Sequence, residues 1–232
     1  MKKIQNICNT ENCFLCKKSL SEWRPVISAH KITYKVKKGE IIFKEGDPVT
    51  GIYFVNSGSV KVYKKWGKDK ELIVRFACEG SIFGHRGLGQ GGFYPISAAA
   101  LQPTIVCYVD VAFFETTLKV NSDFSYQLLM FLTKELKQSE RKMRNLAHMP
   151  VKGRVAEALI SLQNQFGTNA NGFININLSR QDLASYAGAT YETVFRMMNE
   201  LVNEKLIDLS GKNIRLLNYG ELLKLGQDIV FL

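Results

Sequence analysis

The chain has 232 residues, 46% of them hydrophobic and 22% charged, which is enough for one large domain or two modest ones with real cores. No apolar run reaches membrane-spanning length, and the N-terminus MKKIQNICNTENC lacks the apolar stretch of a secretory signal, so a cytoplasmic protein with no membrane partner is expected. The net charge is +10, yet from Val151 onward eight basic residues face eight acidic ones; the excess sits in Lys31–Lys38 and Lys61–Lys70, which read as solvated strand faces and hairpin tips and argue only weakly for a nucleic-acid partner.

Residues 1–20 form a segment carrying Cys8, Cys13 and Cys16. Residues 21–120 read as many short strands. Ile32, Tyr34 and Val36 alternate with Thr33, Lys35 and Lys37, and Leu72, Val74 and Phe76 alternate with Glu71, Ile73 and Arg75. Period two with one apolar face is the strand signal, and glycines at 39, 46, 51, 58, 67, 80 and 84 punctuate the strands as turns would in a barrel or sandwich. The period then changes. Leu129, Leu132, Leu136, Ser139, Met143 and Leu146 step by alternating threes and fours, the seam of a two-stranded coiled coil on a helix from about Ser122 to Ala147. Glu140 and Arg144 are spaced to pair on its outside. Residues 121–148 are therefore expected to hold a dimerisation helix and a hinge near Ala147–Pro150. Past Pro150 a further helix shows Val155, Ala158, Leu159, Leu162 and Phe166 on one face before the breaker run Gly167–Gly172.

The strongest motif lies in residues 149–232. In LSRQDLASYAGATYETVFRMMN (Leu178–Asn199), Ser179 caps a first helix, Gly188 supplies a left-handed turn, and Thr190 caps a second helix. Val194 and Met197 then point back onto Leu183 and Ala184. A hairpin, Lys205–Leu209 and Ile214–Leu217 about the turn Ser210–Asn213, adds a wing, and Phe173, Ile174 and Ile176 supply an earlier strand. This is a winged helix-turn-helix, whose second helix enters the major groove. Its exposed face offers Tyr191, Glu192, Phe195, Arg196 and Asn199 as base readers, with Ser179, Arg180, Gln181 and Thr190 as further DNA contacts. Arg196 is suited to guanine O6 and N7, and Glu192 to cytosine N4.

The order of these parts resembles the CRP/FNR family of bacterial transcription regulators over nearly the whole length. The resemblance rests on KKGEIIFKEGD (Lys37–Asp47), YFVNSGSVKVY (Tyr53–Tyr63), GSIFG (Gly80–Gly84) and above all ETVFR (Glu192–Arg196), where the family shows E-T-x-x-R. It implies an α+β chain: an N-terminal double-stranded β-helix (a cupin-like, cyclic-nucleotide-binding-like β-roll), a long dimerisation helix and a C-terminal winged helix-turn-helix. It further implies a homodimer on a palindromic operator whose half-sites contain a G·C-then-A·T step, with RNA polymerase and an unidentified small-molecule or redox effector as further partners. Cyclic-AMP-responsive members carry an Arg where this chain has Tyr191, and Phe195 is bulkier than is usual there; apolar rings of this kind suit thymine methyl groups.

The resemblance places the family's cyclic-nucleotide cassette at Phe83–Leu101. There the Glu position is His85 and the Arg position Ile96, with only Ser97 and Ala98 matching. Tight cyclic AMP binding is not expected, because the phosphate would lack its charged partner. Gly84, His85, Arg86, Ser97 and Ala98 remain candidates for an effector pocket. Cys8, Cys13 and Cys16, together with Cys107 in TIVCYVD, resemble the ligand set of the family's oxygen sensors, although the N-terminal spacing differs. A [4Fe–4S] cluster, tetrahedral zinc, and a redox switch of exposed thiols are the three open readings of a functional role; the alternative is that the thiols are bystanders, with Cys107 a small core residue. Cys78 reads as core. An iron–sulfur or thiol redox protein is the competing function. No nucleophile, phosphate-loop or zinc-protease motif is present, and with only His30, His85 and His148 available no catalytic role is expected.

Overall fold

The computed structural model describes residues 1–5, 11–67, 70–89 and 91–226. It falls into two compact units, Met1–Lys137 and Gln138–Leu232, with the boundary inside one long helix.

The first unit opens with β1 (Lys2–Ile4), α1 (Phe14–Lys18) and α2 (Arg24–His30). The strands β2 (Ile32–Val36), β3 (Ile41–Phe43), β4 (Gly51–Ser57), β5 (Ser59–Trp66), β6 (Lys70–Cys78), β7 (Ile82–Phe83), β8 (Ser97–Ala100) and β9 (Thr104–Asp110) follow. They form two antiparallel sheets, β1-β2-β9-β4-β7 and β3-β8-β5-β6. The roll interior is filled by Phe43, Tyr53, Val55, Val62, Phe83 and Tyr94, with rings in contact.

The outer face of the five-stranded sheet is buried as well, so β4 is an unbroken apolar run rather than an alternating one. Tyr53 and Val55 face the roll, while Ile52 and Phe54 face a second core with Leu15, Ile27, Phe114 and Phe124. Helices cover that second face. Asp110 caps α3 (Val111–Val120) by accepting from Phe113 N at 2.8 Å, and Asn121 caps α4 (Ser122–His148) by accepting from Phe124 N at 3.0 Å. Gly51 is required by proximity, not by backbone angle. A Cβ there would lie 2.2 Å from Val109 O and 2.3 Å from the Tyr108 ring.

The expected face of β6 is shifted. A bulge between Val62/Arg75 and Tyr63/Ile73 inserts one residue, so Ile73 is buried while Leu72 and Val74 are only partly so. Cys78, expected in the core, is half-buried beside Ser81.

The second unit holds the end of α4, α5 (Val151–Phe166), α6 (Arg180–Ala187), α7 (Tyr191–Asn203), the hairpin β10 (Ile207–Ser210) and β11 (Asn213–Leu216), and α8 (Tyr219–Gly226). Val155, Leu159 and Leu162 of α5 are buried, whereas Phe166 is only partly covered. Gly153 lets α8 approach α5, since a Cβ there would meet Leu225 O at 2.4 Å. Residues 173–176 make no strand. Ile174 forms an isolated bridge with Thr168 and donates its N–H to Ile214 O at 2.8 Å.

Candidate functional site

Local sequence sets the geometry of α6 and α7. Ser179 Oγ accepts from Asp182 N at 2.9 Å, and Thr190 Oγ1 from Thr193 N at 3.3 Å, so each helix starts where its cap dictates. Gly188 ends α6 at φ 65°, ψ 45°, the left-handed conformation glycine adopts without a Cβ penalty. The buried face of α7 is Val194, Met198 and Leu201, so Met198 and not Met197 completes the packing onto α6. The four-residue step from Val194 keeps the same helix face.

The opposite face is exposed. It carries two parallel i,i+4 rows, Glu192–Arg196 and Tyr191–Phe195, and Asn199 extends the second. Gln181 is exposed at the start of α6, and Arg180 there donates to Gly211 O at 3.0 Å, joining the helix to the wing tip. The wing is held by Asp208 and Arg215, directly opposite across the strands and bonded at 2.6 Å. A residue the sequence did not single out, Arg154, fixes the base of this arrangement. Its guanidinium donates to Met149 O and Ala187 O at 3.0 Å, to Gly188 O at 3.2 Å and to Leu146 O at 3.3 Å, satisfying carbonyls at the C-termini of α4 and α6.

Helix α4 has two apolar faces. The seam residues Leu129 (56%), Leu132, Leu136 (60%), Met143 and Leu146 are exposed in the single chain, with Ser139 half-buried among them. The other face, Phe124, Leu128, Phe131 and Glu135, packs on the roll. Glu135, only 9% exposed, accepts from Arg75, lies 3.2 Å from His85 Nε2 and accepts from Arg86 at 3.1 Å. The same Arg75 donates to Ile82 O and lies over the Phe131 ring. Burial alone would raise the Glu135 carboxyl, but the His85 hydrogen bond and the charges of Arg75, His85 and Arg86 outweigh it and hold it well below the usual carboxylate range. Burial pushes His85 down, and among the described residues its Nδ1 is buried without a hydrogen-bond partner. The sequence showed Phe124, Leu128 and Phe131 at helical spacing. The carboxylate continuing that face was the available signal.

The candidate effector residues do not line one opening. Gly84 packs among Tyr53, Phe43 and Tyr94, His85 and Arg86 bind Glu135, Ser97 Oγ accepts from Glu45 N at 2.9 Å, and Ala98 and Ile96 are buried in the roll core.

The N-terminal thiols were read as exposed, and those described are not. Cys13 and Cys16 are at most 3% exposed and share the second core with Cys107, for which a core place was one of the open readings. The segment before them is docked: Phe14 N donates to Gly80 O at 3.2 Å and Asn12 to Glu79 at 3.0 Å. Cys8 lies outside the described residues. Among the described residues no three His, Cys, Asp or Glu side chains form a group that could hold a metal ion, and no helix is long and apolar enough to cross a membrane.

A capped helix pair with an exposed polar and aromatic reading face, a wing, and a β-roll in the same chain define a helix-turn-helix transcription regulator. Residues 34–121 match the cyclic nucleotide-binding domain family, and residues 153–225 the Crp-like helix-turn-helix domain family. The chain is 28% identical over 195 residues to the transcriptional activator protein anr of Pseudomonas aeruginosa, covering 82% of this chain and 79% of that protein. It is 31% identical over 184 residues to the global nitrogen regulator of a Nostoc species, covering 77% and 82%. Among solved structures, FixK2 from Bradyrhizobium japonicum superposes with a TM-score of 0.76 at 27% identity, covering 85% of this chain and 98% of that one. The chain belongs to the CRP/FNR family of transcription regulators.

Proposed function

We propose that the chain acts as a homodimer on a palindromic operator and reads each half-site with Glu192 and Arg196 under control of a signal sensed in its first unit. The observation that carries this is α7: a helix buried along Val194–Met198–Leu201 whose opposite face presents an Arg and a Glu at i,i+4 beside a wing. The exposed seam of α4 supports the dimer, in which two reading helices would meet major grooves about 34 Å apart. Arg196→Ala should lower affinity for an operator selected by the protein by about 1–3 kcal/mol while leaving the dimer intact. Unchanged affinity in a gel-shift titration would overturn the assignment.

Cyclic AMP is not the signal in this reading. Ile96 sits in the apolar core where a cassette Arg would neutralise the phosphate, and the roll interior around it is filled by rings. For the cysteines the iron–sulfur cluster is the reading put to the test: Cys13, Cys16 and Cys107 come from two separate elements into one buried core, while among the described residues no three His, Cys, Asp or Glu side chains form a group that could hold a metal ion. With Cys8 as fourth ligand, such a cluster would supply sensitivity to oxygen or redox state. The chain's own residues hold the segment in place through Phe14 on Gly80 and Asn12 on Glu79. Protein purified without oxygen should contain iron and acid-labile sulfide in stoichiometric amounts, both lost in Cys107→Ser. Folded wild-type protein with neither element would remove the cluster from the reading.

A further inference from the structure

On the reading face of α7, beside the charged row, Tyr191 and Phe195 form a second row of a different chemistry. Their rings are near-parallel, 12° apart in plane, with centroids 6.2 Å apart. They are 41% and 51% exposed. Among the described residues both rings stay exposed, because the packing face of this helix is Val194, Met198 and Leu201 on the far side. Two large apolar rings held in water on the surface of a helix cost free energy unless a partner removes them from it. They stand one residue ahead of Glu192 and Arg196 respectively, so any duplex that meets the charged row meets the rings as well. The only apolar group a base pair displays in the major groove is the thymine C5-methyl.

We propose that Tyr191 and Phe195 are specificity-determining residues that read thymine methyl groups in each half-site. The inference rests on the reading of α7 as the recognition helix. The spacing makes it concrete. Centroids 6.2 Å apart match about two base steps of roughly 3.4 Å each, so each half-site carries two A·T pairs whose methyls are about two steps apart, next to the G·C pair read by Glu192 and Arg196. The two rings are near-parallel, so methyls about two base steps apart each meet a ring at a similar angle. Asn199, one turn further along the same row, extends it with an amide suited to adenine N6 and N7.

The test uses the full-length wild-type chain and a duplex selected from a library with randomised half-sites. The selected thymines are then replaced by deoxyuridine, which keeps every hydrogen-bonding edge and removes only the methyl. Affinity is expected to fall about fourfold for each methyl removed, the size expected for losing one buried methyl group. Phe195→Ala and Tyr191→Ala should each lose the effect of one methyl, and the double variant should bind the thymine and uracil duplexes equally. Because both side chains are exposed, these variants keep the fold, which circular dichroism checks. Equal binding of the two duplexes by the wild type, with Arg196→Ala still weakened, overturns the methyl reading and leaves the charged pair as the reader. A selection that yields no preferred sequence at all overturns both.

Discussion

Replacing Glu135 by Ala should destabilise the first unit by about 3–5 kcal/mol, the usual cost of removing one member of a buried ionic cluster. Glu135 is almost fully enclosed, and three donors converge on it: Arg75, His85 and Arg86. Without the carboxylate, Arg75 is left, among the described residues, with Ile82 O and the Phe131 ring, and a buried guanidinium loses its counter-charge. Urea unfolding monitored on the roll would show the change as a lower midpoint; a loss below about 1 kcal/mol would mean the cluster is relieved by water or rearrangement. The same site sets a pH dependence. Both Glu135 and His85 are held below their ordinary values of 4.5 and 6.5 in the folded chain. The unfolded chain therefore takes up protons first as acidity rises. Their contribution is complete above about pH 6.5 and declines as pH falls, first through His85 and then, below 4.5, through Glu135. Glu135→Gln should flatten the lower limb of this curve and His85→Gln the upper one.

Leu136→Glu should convert the protein from dimer to monomer at micromolar concentration and weaken operator binding by about a hundredfold or more, because the two half-sites are then no longer bound as one linked event. Leu136 is 60% exposed in the single chain, so the substitution adds no strain to the monomer. In a paired seam it would place two carboxylates against each other across the two-fold axis. Analytical ultracentrifugation separates the outcomes. A variant that remains dimeric would show that the exposed stripe of α4 is not the contact between copies.

What the sequence disclosed was set by the range of the interactions involved. Caps and turns are local, so Ser179, Thr190 and Gly188 were readable from their own neighbours. The exposed apolar stripe of α4 was readable because its period repeats over several turns. The face of β6 was misread because a single bulged residue reverses the alternation, and no residue type announces a bulge. Met197 and Met198 were confused because positions three and four along a helix both lie near the packing face. The cysteine segment was taken as exposed because its anchors, the Phe14 bond to Gly80 and the Asn12 bond to Glu79, join residues more than sixty positions apart. Arg154 was invisible for a related reason. In a linear reading it is an ordinary surface charge on a helix and Glu135 shows only as a carboxylate continuing the apolar face of Phe124, Leu128 and Phe131; the fold supplies the four carbonyls and the three donors that give each its role.

Arg154 changes how the junction Ala147–Pro150 has to be regarded as a piece of mechanics. The sequence suggested a joint there. Yet one guanidinium holds Leu146 O just before that junction and Met149 O within it, while it also holds Ala187 O and Gly188 O at the turn between α6 and α7. Within the second unit, the last turn of α4 is thus fastened to the turn between α6 and α7, and the two are expected to move as one piece.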